Sequence, residues 1–424
     1  MDDSAQRRTA WIRVAAALFG VAWGANHFTP LLLVYRSELK LPDSAVTGIF
    51  GIYAVGLVPA LILSGRAADR YGRRAVLRPA MLVSVLASVV LMIGPVWWPL
   101  LYAGRLLAGV ASGAAYSAGT AWVSELSARG LGARRSAAAL SLGFGIGPLL
   151  AGALAQWLPL PTEVSYVVHL ALMAGVVILA WRVPETAPAT RRTERRQWVP
   201  RPAVSRHFLL GVVPWAPWVF GTVAISIATL PVLLPDHSGG AISTPVAFSG
   251  LLGGLTLPLG ALVQPVARRL AQAGHLHAPV AGVLLASLGL AGTAAVAWRP
   301  DIPLILATAV VLGTGYGVLM VTGLARVEML AERHEFAGLV SIFYALAYLG
   351  FGAPYLVAAL AGGVAYARWL LVAAFVALAA IPLMMFGGPP ARRIMVSRGE
   401  QPEGSSREAG ERAEVVRPVG GSER

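Results

Sequence analysis

Residues 65–74 read GRAADRYGRR, one acid among four arginines, set between the apolar runs VTGIFGIYAVGLVPALILS and AVLRPAMLVSVLASVVLMIG. So much charge in barely ten residues reads as a polar turn joining two greasy helices. The rest of the chain decides what kind of helices these are.

The 424 residues are 57% hydrophobic and 13% charged, with a mean hydropathy of +0.68, whereas an average soluble domain is about a quarter charged. The chain therefore reads as a membrane protein. A helix needs ~20 consecutive apolar residues to cross ~30 Å of hydrocarbon. Twelve windows qualify, over 11–35, 45–65, 75–96, 98–122, 136–158, 164–183, 208–234, 244–264, 278–298, 303–325, 337–361 and 365–386. Continuous windows of this length exclude a closed β-barrel, whose strands alternate over short segments. The expected fold class is an all-α membrane protein with twelve transmembrane helices.

The formal net charge of +14 is distributed unevenly. Loops on one side carry only Arg36, Lys40, Arg299 and Arg368, whereas the other side carries Arg66, Arg70, Arg73, Arg74, Arg129, Arg134, Arg135, the run from Arg191 to Arg206, Arg268, Arg269 and the tail. Basic residues favour the cytoplasmic side, so both termini are expected there, in the cytoplasmic membrane. The positive loops then face anionic lipid head groups rather than nucleic acid. The chain has no cysteine, which removes disulfides, thiolate metal sites and cysteine nucleophiles. No cofactor or metal is expected. The start MDDSAQRRTAWIRVAAALFG has no short apolar core with a small-residue cleavage site, so it reads as a tail entering the first helix.

Between the sixth and seventh windows lies RVPETAPATRRTERRQWVPRPAVSRH, polar, Pro-rich and basic. It reads as a linker. The expected organisation is a cytoplasmic tail (1–10), a six-helix bundle (11–183), a cytoplasmic linker (184–207), a second six-helix bundle (208–386) and a tail (387–424) with the low hydrophobicity of a disordered segment. Two repeats relate the halves, and such repeats are a mark of transporter folds. ALSLGFGIGPLLAGAL in window five parallels ALAYLGFGAPYLVAAL in window eleven, Gly143 answering to Gly350 and Pro148 to Pro354. GALVQPVARR at 260–269 parallels GRAADRYGRR, with Gly260 under Gly65, Arg268 and Arg269 under Arg73 and Arg74, and Gln264 in place of the acid.

At these residues the chain resembles the major facilitator superfamily, over 11–386. The family's loop signature between helices 2 and 3 is Gly-x-x-x-Asp-Arg-x-Gly-Arg-Arg, and Gly65, Asp69, Arg70, Gly72, Arg73 and Arg74 fill every fixed place. The resemblance implies two pseudo-symmetric six-helix bundles around a central cavity, with alternating access by rocking. It also implies a latch. Asp69 would meet the positive N-terminal end of the eleventh helix, a contact worth about 0.3–2 kcal/mol, when the cytoplasmic side is closed. Arg70 and Arg73 would engage Glu125 at the inner end of helix 4 through charge-assisted bonds. The bland alternative, a topology anchor, explains the arginines but not Asp69 or the glycines.

Helix 5, with Gly143, Gly147, Pro148 and Gly152, resembles the Gly-x-x-x-Gly-Pro-x-x-Gly-Gly signature of drug and metabolite antiporters, Ala151 replacing one glycine. Small residues allow close helix approach and proline bends the helix, so plain packing is the competing reading. Helix 4 carries RLLAGVASGAA, similar to the family's Arg-x-x-x-Gly pattern through Arg105 and Gly109. An intramembrane arginine is a functional candidate by default; the family ties this one to proton coupling, and snorkelling is the alternative. In helix 1, WGANHFTPLL places Asn26, His27 and Thr29 in an apolar span. Histidine, with an unperturbed pKa of ~6.5, suits proton exchange near neutrality. His27 and Arg105 are expected to face one cavity, and His169 to be structural. Tyr53, Trp215, Trp218, Tyr316, Tyr344 and Tyr348 are candidates for an apolar substrate wall, or for bundle packing.

No aspartate or glutamate lies inside any window, a departure from many proton-driven antiporters of this family. It puts any coupling on His27 and Glu38, and suits a neutral, amphipathic or anionic substrate better than a cationic one. The only lysine is Lys40, so a phosphate loop for ATP hydrolysis is excluded. The expectation is a monomeric secondary transporter, not an enzyme, with a small organic substrate, a proton and membrane lipids as partners, acting by proton-coupled efflux. An uptake symporter or uniporter on the same fold, and a non-transporting sensor, are the alternatives.

Overall fold

The computed structural model describes residues 3–128, 131–186, 200–233, 244–273, 276–331, 336–361 and 366–387. The expected tail after Gly387 and linker residues 187–199 lie outside the described residues. Among the described residues the helical segments group into twelve rods. In the first half α1 runs Asp3–Asn26 and resumes over Phe28–Glu38, followed by α2 (Asp43–Tyr71), α3 (Arg73–Ile93), α4 (Pro99–Glu125), α5 (Gly132–Trp157) and α6 (Val164–Trp181). In the second half α7 (Pro217–Ala224) continues through a π turn, Ile225–Thr229, and is followed by α8 (Pro245–Ala273), α9 (His277–Trp298) and α10 (Ile302–Leu330). The rod α11 runs Phe336–Leu349, kinks through a 3-10 turn at Gly350–Gly352 and resumes over Ala353–Leu360, and α12 covers Tyr366–Leu378 and Ala380–Gly387.

Among the described residues, ten helices are long and apolar enough to cross a membrane. The two remaining rods differ for separate reasons. Small residues and Arg105 dilute the 27-residue α4, and α7 is broken into short pieces. Several rods run beyond their apolar windows: α2 reaches Tyr71 and α10 reaches Leu330. Apolar windows mark only the hydrocarbon crossing, whereas backbone hydrogen bonding continues into the polar zone.

The stretch 65–74 is therefore not a ten-residue turn. Helix α2 passes through Arg66, Asp69 and Arg70, and the chain reverses on Gly72 alone. Its φ of 94° and ψ of 161° lie in a region essentially reserved for glycine. The repeated stretch behaves differently because alanine, Ala267, stands where the repeat would put the glycine. Helix α8 accordingly runs on through Arg268 and Arg269 to Ala273.

Pseudo-symmetry is visible in the close contacts. A Cβ at Gly109 or Gly113 of α4 would run into the carbonyl oxygens of Tyr53 or Leu57 in α2. At Gly313 or Gly317 of α10 it would run into those of Thr256 or Gly260 in α8. Small residues four apart let backbones touch where lipid offers no hydrophobic drive. Likewise Gly143 of α5 abuts the Phe19 carbonyl of α1, and Gly350 of α11 abuts the Pro217 carbonyl of α7. The rod α1 lies at the centre, its most apolar window 89% buried against 33% for α5, α6 and α12. Exposed Leu, Val, Ile and Phe side chains cover the periphery, as a hydrocarbon-facing surface requires.

Candidate functional site

Arg105 is 1% exposed. Instead of snorkelling, it turns into the first bundle, where Nη1 donates to the Ala25 carbonyl at 2.8 Å and Nη2 reaches that of Phe50 at 3.5 Å. The acceptor is local to a break. Helix α1 is interrupted at His27, three residues before Pro30, whose ring crowds the preceding turn and removes one N–H. The guanidinium lies 4.5 Å from the ring centroid of Tyr53, 4.8 Å from Phe28 and 5.8 Å from Phe50. Aromatic faces attract a desolvated cation. Among the described residues no carboxylate pairs with it, and its Nε is buried without a hydrogen-bond partner.

His27 is fully buried, and neither ring nitrogen has a partner among the described residues. Its ring lies 4.9 Å from both Tyr166 and His169 of α6. Asn26 and Thr29 are buried beside it in sequence, the Thr29 hydroxyl also unpartnered. His169 donates from Nε2 to the Gly20 carbonyl at 3.0 Å, and its Nδ1 pairs with the Ser88 hydroxyl at 2.8 Å. Tyr166 continues the chain of polar groups to Tyr35 through a 2.8 Å hydroxyl pair. The histidine expected to be structural is thus the neighbour of the one singled out, 142 positions away in sequence by their numbering. No group of three or more His, Asp or Glu side chains gathers to hold a metal among the described residues.

From Tyr53 an aromatic array crosses between the halves. Tyr53 and Phe50 of α2 lie 5.9 and 5.2 Å from Phe351, in the kink of α11. Phe351 lies 5.5 Å from both Tyr348 and Phe220, which stack on each other at 4.2 Å. Tyr316 and Tyr344 complete it, 5.6 Å from Phe220 and 6.4 Å from Tyr348. Four of the expected aromatics therefore meet. Trp215 does not; it packs on Phe343 and donates to the Gly211 carbonyl within its own bundle. Phe50, Phe220 and Phe351 were missed by sequence reasoning, although Phe351 sits in the repeated Gly-Phe-Gly.

At the Arg-rich end, Arg73 bonds Glu125 at 2.9 and 3.1 Å and Asp69 at 2.7 Å. Arg70 instead lies over the Tyr71 ring. Asp69 is 58% exposed on its side chain, and among the described residues its ion pair is with Arg73 rather than with the N-terminal end of α11. Glu185, after α6, was not foreseen. Its two oxygens accept the Arg73 and Arg74 backbone N–H groups at 3.0 and 2.8 Å, capping the positive start of α3. A Cβ on Gly72 would stand 2.6 Å from that carboxylate.

The opposite end joins the halves. Asp43 pairs with Arg36 at 2.8 Å and accepts from the Tyr366 hydroxyl of α12 at 2.9 Å. Gln156 accepts from the Val246 backbone at 3.0 Å. The glycine motif of α5 is shared between two partners: Gly143 and Gly147 face α1, while Pro148 and Gly152 face Gly250 of α8.

Two sets of helices thus hold a buried cation inside the first bundle and an aromatic array at the seam between the halves. The chain belongs to the major facilitator superfamily, whose model matches residues 14–299. It is similar to the multidrug resistance protein MdtL of Escherichia coli and of Shigella flexneri, 26% identical over 209 residues in each. That alignment covers 48% of this chain and 52% of the relative, so the chain spans about half the length of the curated relatives it matches. Among solved structures it resembles a peptide transporter of the POT family in complex with sulfate, with a TM-score of 0.73, 13% identity and 89% and 94% of the two chains covered. It also resembles the nucleoside transporter NupG, with a TM-score of 0.67, 12% identity and 90% and 99% covered. These likenesses establish the fold.

Proposed function

We propose that this chain exports small drug-like or metabolite compounds by proton-coupled alternating access, as a monomer in the cytoplasmic membrane with both termini cytoplasmic. The observation that carries the reading is the continuity of the buried cation Arg105 with the aromatic array through Tyr53 and Phe351. Neutral rings and a cation without a carboxylate suit an amphipathic or anionic substrate. The multidrug relative supports export. His27, beside His169, is the proton carrier in this reading, because an imidazole changes charge near neutral pH.

The moving bodies are residues 11–183 and 208–386. They are joined here at the Arg-poor end, through Asp43, Tyr366 and the α5–α8 glycines. An exposed Asp69 held by Arg73 fits a latch released at the other end, to engage the start of α11 when that end closes.

The test is flux of amphipathic and anionic compounds in proteoliposomes with an imposed pH gradient. Wild type should respond to the gradient, His27→Ala should lose that response while retaining downhill flux, and Arg105→Ala should lose flux by tenfold or more. Arg105→Met, which keeps side-chain length, serves as the control for folding. Flux indifferent to pH removes proton coupling, and unchanged flux in both variants removes the assigned site.

A further inference from the structure

Between the first turns of α3 and the end of α6 lies a groove of about 500 Å³ lined by Tyr71, Arg74, Arg78, Pro79, Trp181 and Glu185, with Leu82 at its rim. Arg74 and Arg78 are one helical turn apart, and the Nε of each is buried without a hydrogen-bond partner. Arg78 is fixed in place: its Nη2 donates to the Trp181 carbonyl, and its guanidinium stacks 4.7 Å from the Trp181 ring. The one acid in the lining, Glu185, gives both oxygens to the backbone N–H groups that begin α3 and also acts on Arg78, so the lining sets two cations against one anion. What remains is an excess of positive charge beside two exposed aromatic rings, Tyr71 and Trp181, of the kind that mark a membrane–water boundary.

The groove opens onto a lipid-facing track. On α3 the exposed positions Pro79, Leu82, Leu86, Val89 and Ile93 follow each other at helical spacing, spanning about 21 Å at 1.5 Å per residue, which exceeds one leaflet of a ~30 Å core. The exposed face of α6 carries small residues at Ala171, Ala174 and Gly175 between the larger exposed Val167 and Ile178, and a Cβ on Gly175 would touch nothing within 4 Å. A bulky ridge beside a shallow trough suits an acyl chain.

We propose that this groove is a binding site for an anionic phospholipid, its phosphate held by Arg74 and Arg78 against Trp181 and an acyl chain lying along α3 and α6. Two guanidiniums match phosphate oxygens in charge and geometry. The site requires neither a transported compound nor a particular direction of transport.

The experiment uses the full chain in phosphatidylcholine bilayers containing brominated phosphatidylglycerol or brominated phosphatidylcholine. Trp181 quenching is isolated by difference from Trp181→Phe. The anionic lipid should quench several-fold more effectively than the zwitterionic one. Arg78→Gln should lower that preference roughly fivefold, about 1 kcal/mol for one basic residue near a lipid surface, and Arg78→Lys should keep most of it. Should Arg78→Gln fail to fold, raising salt on wild type gives the same reading, because the preference must weaken as the charges are screened. Equal quenching by both lipids overturns the proposal. So does displacement by millimolar inorganic phosphate or glycerol phosphate, which would make this a site for a free anion.

Discussion

Gly72 carries more of the first bundle than its size suggests. It supplies the reversal between α2 and α3 in a backbone region closed to other residues, and its missing Cβ leaves room for Glu185 to reach the α3 N-terminus. Gly72→Ala should therefore cost about 1–3 kcal/mol in backbone strain, plus part of a helix-terminus interaction of about 0.3–1 kcal/mol. Thermal unfolding of the solubilised protein should show a midpoint lower by a few degrees. An unchanged midpoint would mean the turn has another low-energy conformation. The sequence made Gly72 legible as a turn residue through its spacing in GRAADRYGRR. It did not reveal the cap, because Glu185 lies in a polar linker 112 residues from Arg73, and only the folded bundle brings them together. The same holds for His169: its spacing within α6 carries no sign that it will lie against His27.

At the scale of the helix, hydrophobic runs revealed the rods and hid their interruptions. The breaks in α1, α7 and α11 fall inside windows that read as continuous spans, where Pro30, the prolines Pro217 and Pro231 and the Gly-Phe-Gly repeat hint at them. Glycines on α5 were legible as a motif, but their division of labour was not. One set holds α1 within the bundle, and the other meets α8 across the seam. These two uses respond differently to added volume. A side chain at Gly152 would stand 2.8 and 2.9 Å from backbone atoms of Val246 and Gly250, and backbone cannot yield as a flexible side chain can. Gly152→Val should leave the first bundle folded yet force α5 and α8 apart, shifting the protein away from the form closed at the Arg-poor end. Labelling at Val246→Cys by a membrane-impermeant maleimide should become at least several-fold faster in Gly152→Val than in an otherwise identical chain. Equal rates would show that the seam accommodates the methyl groups and that α5 does not control this end.

For the molecule as a whole, the arrangement is asymmetric along the membrane normal. The contacts between halves at the Arg-poor end include Arg36 to the Val232 carbonyl, Asp43 to Tyr366 and Gln156 to Val246. At the Arg-rich end the conspicuous ion pairs of Arg73 stay within the first half. A partly exposed ion pair contributes about 0.2–1 kcal/mol, so no single contact locks the form described. A bistable structure needs that weakness, since a difference of a few kcal/mol must be reversible by substrate or proton. The absence of native cysteine makes the alternation directly measurable. Asp43→Cys with Tyr366→Cys, joined by a short bifunctional thiol reagent, should hold the halves together at the Arg-poor end. A third cysteine at Asp69, which is 58% exposed, should then stay fully reactive from the Arg-rich side whatever compound or pH gradient is applied. Without the crosslink, conditions that drive transport should slow its labelling several-fold as Asp69 moves into the seam. If the crosslinked protein still protects residue 69, the two ends close independently, and rocking of rigid halves is the wrong description of this chain.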